Sequence, residues 1–165
     1  MQSRGFRIAQ IATGNPEDAL DLVQDTMFKL VEKYADREEN EWKPLFYRIL
    51  QSRINDLYRR NKVRNRYRSW LTKNEDDNED PIQTAPDHHG QKPESEAETS
   101  ESMEKLQQAL SALPLRQQQA FLLRAWEGLN VKQTAAAMSC AEGSVKTHYS
   151  RAVHSLREQL GEHWP

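Results

Sequence analysis

The chain has 165 residues, a net charge of −2, 36% hydrophobic residues and a mean hydropathy of −0.94, too polar for one large core and suited to one or two small domains plus a poorly folding segment. Its single cysteine, Cys140, excludes an internal disulfide framework and a cysteine-cluster zinc site, and is compatible with a reducing compartment. The first ten residues lack the apolar core of a signal peptide and no apolar run reaches membrane-spanning length, so a cytoplasmic protein without membrane insertion is expected.

The small total charge conceals a partition. Residues 1–70 carry 14 Lys/Arg against 10 Asp/Glu, residues 71–104 carry two against 11, and residues 105–165 carry seven against four. Two basic modules flank an acidic connector, so the total says little about affinity for nucleic acid.

In chain order, Phe6, Ile8, Ala9, Ile11 and Ala12 read as the tail of a helix that Gly14-Asn15-Pro16 ends. Pro16 suits the first position of the next helix. The spacing predicts that helix over residues 17–34, with Leu20, Val23, Met27, Leu30, Val31 and Tyr34 on one face. Asp18, Asp21 and Asp25 form an acidic stripe on another side. They either complement the helix dipole or offer a docking surface to a basic partner.

Residues 35–41 read as a polar loop, and Pro44 is expected to open a third helix with Leu45, Phe46, Ile49, Leu50, Ile54 and Leu57 in the core. From Arg53 to Arg68, the cations Arg53, Arg59, Arg60, Lys62, Arg64, Arg66 and Arg68 face only Asp56. Tyr47, Tyr58, Tyr67 and Trp70 are interspersed through this stretch and its flanks, and Trp42 lies upstream. A charge run ordinarily marks a solvated face, but this ratio with aromatics fits phosphate neutralisation and base stacking better.

Residues 73–102 are rich in Glu, Asp, Ser, Pro, Gln and Asn, with Ile82 the only large aliphatic, and are expected to be a disordered linker. His88-His89 within it lack partners at metal-ligand spacing. Helical periodicity resumes through Met103, Leu106, Ala109, Leu110 and Leu113. Pro114 interrupts it, and a helix over residues 115–126 is expected to turn Phe121, Leu122 and Ala125 inward before Gly128 ends it.

Residues 128–160 then parse as two helices around a short turn. Asn130 caps the first, over residues 131–138; Ser139-Cys140-Ala141 interrupt; the second covers about residues 142–160. Val145, Tyr149, Ala152 and Leu156 share its buried face, while Gly143, Thr147, Ser150, Arg151 and His154 point away, flanked by Ser144 and Lys146. A helix with small residues, hydroxyls and cations outward suits a DNA major groove, so the pattern is a helix-turn-helix. The plain alternative is an ordinary helical hairpin with a solvated face.

Three blocks in order carry a family resemblance. Residues 13–34 (TGNPEDALDLVQDTMFKLVEKY) resemble region 2.2, residues 45–60 (LFYRILQSRINDLYRR) resemble regions 2.3 and 2.4, and residues 110–160 resemble region 4 of bacterial RNA polymerase sigma factors of the extracytoplasmic-function (ECF) type. The resemblance implies an all-α protein. A region 2-like bundle (residues 1–71) and a region 4-like helix-turn-helix domain (residues 103–165) would be joined by the acidic linker (residues 72–102).

It also implies roles and partners. Core RNA polymerase would meet Asp21, Gln24 and Asp25. The minus-ten promoter element would meet Trp42, Ser52, Arg53, Asn55, Arg59 and Arg60, with a flipped base near the loop of residues 36–41. The minus-thirty-five element would meet Gly143, Ser144, Lys146, Thr147, Ser150 and Arg151. An anti-sigma factor is a further candidate partner. No catalytic constellation, cofactor or metal is implied.

The chain departs from the family pattern in three places. Its residue 36–41 loop is acidic and Ser52 stands where asparagine is frequent. Ser139 and Ala141 stand where a turn glycine and a capping hydroxyl are usual. Another turn or more of helix is expected ahead of Phe6. The competing resemblance, of residues 143–150 (GSVKTHYS) to the LuxR/NarL DNA-binding helix, implies a regulator that binds DNA without polymerase. It leaves residues 13–60 unexplained.

Overall fold

A computed structural model describes residues 1–72 and 98–164, and the described residues form seven α-helices and no strand. The N-terminal half comprises α1 (Gln2–Thr13), α2 (Pro16–Tyr34) and α3 (Glu39–Thr72). The C-terminal half comprises α4 (Glu98–Ala112), α5 (Leu115–Phe121), α6 (Val131–Met138) and α7 (Glu142–Leu160), with a π-helical turn, Leu122–Trp126, continuing α5. The disorder expected of the connector falls on residues 73–97, outside the described residues. Residues 98–102, expected to belong to it, are instead the first turn of α4.

Gly14 closes α1 in the left-handed conformation, and Asn15 caps α2, its Oδ1 accepting from the amides of Glu17 (2.8 Å) and Asp18 (3.4 Å). The α2 core stripe matches expectation at Val23, Met27, Leu30 and Tyr34 and differs elsewhere. Ala19, Leu22, Val23, Thr26 and Leu30 are buried, whereas Leu20 and Val31 stay exposed. Both stripes recur at helical spacing, and the inner one was disguised by Thr26, whose hydroxyl donates to the Leu22 carbonyl (2.6 Å) and so enters the core without an unmet polar group.

The third helix starts at Glu39, before Pro44, not at it. Glu39 and Glu41 favour the helix N-terminus, and Pro44 removes only the bond that its amide would make to Asn40 one turn back. Phe46, Tyr47, Leu50 and Ile54 are fully buried, and Phe46 meets Tyr47 edge-on at 5.1 Å. Gly5 of α1 lets that core close: a Cβ there would lie 2.6 Å from the Phe46 ring. Tyr58 ties α3 to α1 by donating to the Ala12 carbonyl (2.5 Å).

In the C-terminal half, Leu110, Leu113, Leu115, Leu122, Leu123, Met138 and Leu156 build the core, with α5, α6 and α4 all packed against α7. Ala125, expected inward, is exposed, because the π turn adds a residue and rotates the following positions. The same rotation buries Glu127. The two halves touch: α6 packs on α3 and α4 on α1.

Candidate nucleic-acid interface

The helix-turn-helix is fixed at each end of α6. Asn130 Oδ1 accepts from the Gln133 amide (2.8 Å) while Gln133 Oε1 accepts from the Asn130 amide (3.0 Å), a reciprocal capping box. At the other end Ser139 adopts φ 53°, the one positive φ outside glycine among the described residues. Cys140 N–H bonds to the Ala135 carbonyl (3.1 Å) and Ser139 N–H to the Ala136 carbonyl (3.3 Å), a Schellman closure with serine in the glycine position. Arg116 of α5 donates to the Met138 carbonyl, so a permanent cation holds the C-terminus of α6 where the turn residue is unfavourable.

From that turn α7 departs with Ala141 as a cap that lends no side-chain hydrogen bond. Val145, Ala152, Leu156 and Leu160 are buried, and Tyr149 stacks on Phe121 with ring centroids 6.1 Å apart. That burial fixes what faces out. Gly143, Lys146, Thr147, Ser150 and Arg151 are exposed and Ser144 is half-buried, so all six residues expected for the upstream element line one side of one helix. Thr147 rests its hydroxyl on the Gly143 carbonyl (3.1 Å). His148, not singled out in the sequence, lies half-buried beside them; burial, then the Arg116 and Arg151 cations, hold it below its ordinary pKa. It is neutral near pH 7 and offers one donor and one acceptor.

The residues expected for the downstream element all lie on α3 but differ in exposure. Ser52, Arg59 and Arg60 are exposed along α3. Arg53 is partly covered and pairs with Asp25 (3.5 Å). Trp42 is half-buried, its indole N–H without an acceptor among the described residues. Asn55 is only 8% exposed, and its Oδ1 accepts from Gln119 Nε2 of α5 at 2.8 Å. The stacking expectation also narrows: Tyr47 and Tyr58 pack inward, leaving Tyr67 and Trp70 as exposed rings 6.4 Å apart.

On α2, Asp21, Gln24 and Asp25 are all exposed. Beside them the α1–α2 groove, about 840 Å³, is lined by Phe6, Leu20, Val23, Gln24 and Met27 among others. Phe28 and Val31 stand out further along, 71% and 52% exposed. Among the described residues no group of three His, Cys, Asp or Glu side chains could hold a metal, and no helix is long and apolar enough to cross a membrane.

Comparison with known proteins adds independent findings. The family model for Sigma-70 region 2 matches residues 2–64, and that for Sigma-70, region 4 matches residues 103–156. The RNA polymerase sigma-E factor of Streptomyces antibioticus is 29% identical over 146 residues, 88% of this chain and 72% of its own. The ECF RNA polymerase sigma factor SigE of Mycolicibacterium smegmatis is 28% identical over 97% of this chain and 58% of its own. Among solved structures, the sigma factor RpoE in complex with the anti-sigma factor NepR from Bartonella quintana is similar at a TM-score of 0.63 and 25% identity, covering 94% of this chain and 89% of that one. A DNA-reading helix alone is compatible with many regulators, but region 2 and region 4 in this order are not: the chain belongs to the sigma-70 family, as a sigma factor of the ECF type.

Proposed function

We propose that this sigma factor confers promoter specificity by docking on core RNA polymerase through α2 and reading DNA through α7 and the outer side of α3. The observation that carries this reading is the α7 face. Lys146, Thr147, Ser150 and Arg151 are exposed on one side of a helix whose opposite side is buried, and the helix has no carboxylate between Glu142 and Glu158. Such a face meets base edges with its N-terminal residues and phosphates with its cations. Ser52, Arg59 and Arg60 extend the contact to the downstream element, joined by the half-buried Trp42 and by Arg53 and Asn55 once these two are released from Asp25 and Gln119. Asp21, Gln24 and Asp25, beside the apolar α1–α2 groove, form the polymerase face.

On this reading the N-terminal and C-terminal halves are separately acting domains and the stretch between α3 and α4 their connector, acting in the cytoplasm without catalysis of their own. The likeness to a Bartonella sigma factor held in complex with NepR supports an anti-sigma factor as a further partner class. Size-exclusion chromatography with purified core polymerase tests the proposal. Co-elution with core at low micromolar concentration is expected; a chain that shifts promoter DNA but never co-elutes with core would be a stand-alone regulator.

A further inference from the structure

The match to Sigma-70 region 2 ends at residue 64, whereas α3 runs on to Thr72. The residues expected to meet the downstream element stop earlier still, at Arg60. Beyond it Val63, Tyr67, Trp70 and Leu71 are all exposed, Trp70 the most so among the large apolar side chains of the described residues, at 78%. Their spacing of four, seven and eight residues puts them in one stripe. Tyr67 and Trp70 adjoin within it, their ring centroids 6.4 Å apart and their planes tilted by 41°. A contiguous apolar stripe left in water marks a contact surface, not a core.

Position, charge and ring geometry together say what covers it. By helical geometry, Ser52, Arg59 and Arg60 fall on the same line of α3 as Val63, Tyr67 and Trp70, within an arc of about 120°. The stripe therefore continues the side of α3 assigned above to the downstream element. Trp70 lies roughly 15 Å beyond Arg60, about four to five steps of a nucleic-acid strand. From residue 57 to residue 72 the helix carries six Lys/Arg and no acid, so the occupant is polyanionic. A second copy of the chain is disfavoured, because stripe against stripe would set cations against cations in either orientation. A bilayer is too: four side chains over about 12 Å are a short apolar strip, and the line runs on into Arg60, Asp56 and Ser52. Within a duplex the faces of the bases lie against one another, whereas an unpaired base offers its face to an aromatic ring. Exposed rings bordered by cations thus fit a single strand better than a duplex.

We propose that the last turns of α3 are a single-strand platform: Tyr67 and Trp70, flanked by Val63 and Leu71, stack an unpaired base of a strand whose phosphates Arg60 and Arg64 hold. The platform extends the promoter contact past the downstream element, to bases that the stretch matched to region 2 does not reach. Its place on the promoter rests on the sigma-factor reading; its affinity for an unpaired strand does not.

Fluorescence anisotropy of the full chain at low salt tests this, with labelled oligothymidylate and, separately, its duplex with oligoadenylate. Tyr67→Ala combined with Trp70→Ala should lower affinity for the strand by roughly five-fold or more and leave affinity for the duplex within about two-fold. Both side chains are exposed, so circular dichroism and the melting temperature should not move. Tyr67→Phe combined with Trp70→Phe keeps two ring faces and should retain most of the strand affinity. Arg64→Ala should instead weaken strand and duplex alike and flatten the salt dependence. A wild-type chain without measurable strand binding overturns the platform, as does a Tyr67→Ala/Trp70→Ala chain that loses strand and duplex equally, or neither. Loss in that variant of binding to phosphatidylglycerol vesicles, or of self-association in analytical ultracentrifugation, with strand affinity intact, overturns it too: the stripe would then be a membrane or dimer face. If the chain fails to join core polymerase, the sigma reading falls, while the comparison of strand with duplex still decides the platform.

Discussion

Ser139 stands in the left-handed region at φ 53° and ψ 48°, at the position where a Schellman closure normally places glycine. A side chain there costs about 1–2 kcal/mol relative to glycine. Glycine in turn loses about 0.4–1 kcal/mol more conformational entropy on folding. Ser139 is exposed, so removing its side chain costs no packing. Ser139→Gly should therefore stabilise the C-terminal half by about 0.5–1 kcal/mol, which raises the melting temperature of a domain this small by about 2–8 °C. Ser139→Val should do the reverse by about 1 kcal/mol or more, because a β-branched residue is worse still at positive φ. Differential scanning calorimetry of the full chain reads both, and hydrogen exchange of the Cys140 amide, bonded to Ala135, reports the turn directly. Arg116 still holds the Met138 carbonyl in both variants, so α7 should keep its direction. A Ser139→Gly variant that melts lower, or a Ser139→Val variant that melts unchanged, would refute a strained left-handed turn.

Other substitutions probe the remaining faces. Gly5→Ala places a Cβ 2.6 Å from the Phe46 ring; overpacking of about 1–3 kcal/mol should outweigh the roughly 1 kcal/mol gained in helix propensity, lowering the melting temperature, and Phe46→Leu in the same chain should recover part of the loss. Asp21→Ala combined with Asp25→Ala should weaken binding to core polymerase, measured by fluorescence anisotropy, with helicity nearly unchanged. The surface pair lost between Asp25 and Arg53 accounts for at most about 1 kcal/mol of stability. In a randomised upstream-element library, Lys146→Ala or Thr147→Ala should change base preference at the pairs they read, by about 1–3 kcal/mol each. Arg151→Ala should instead weaken all sequences alike and reduce the salt slope by about one; altered preference in Arg151→Ala with none in the other two would mean α7 lies differently in the groove.

What could be read before folding follows the range of the physics involved. The α6 cap at Asn130, the apolar face of α7 and the unfavourable Ser139 turn are all local, and each was legible in a few residues of spacing. The α2 stripe was legible in part: Val23, Met27, Leu30 and Tyr34 do meet the core, but Leu20 and Val31 satisfy helical periodicity as well as Ala19 and Leu22 do. Only packing against α1 and α3 chooses between them. Pro44 misled for a related reason: a proline near a helix start marks the neighbourhood of the terminus, not its first residue. The π turn has no propensity signature, so neither the exposure of Ala125 nor the burial of Glu127 could be anticipated. Asn55 was legible only as a downstream-element contact implied by the family resemblance, not as a buried residue. Its partner Gln119 lies 64 positions away, and the Lys43–Glu127 contact spans 84.

The central claim, that this chain lends promoter specificity to a polymerase, is tested most directly by mapping transcript starts. Core RNA polymerase would be incubated with genomic fragments of the source organism, with and without the full chain, and the 5′ ends of the products sequenced. Starts that appear only with the chain, aligned on one upstream and one downstream motif at fixed spacing and lost with Asp21→Ala/Asp25→Ala, are the predicted result. The same start sites with and without the chain, on core shown to be free of other sigma factors, would contradict the account.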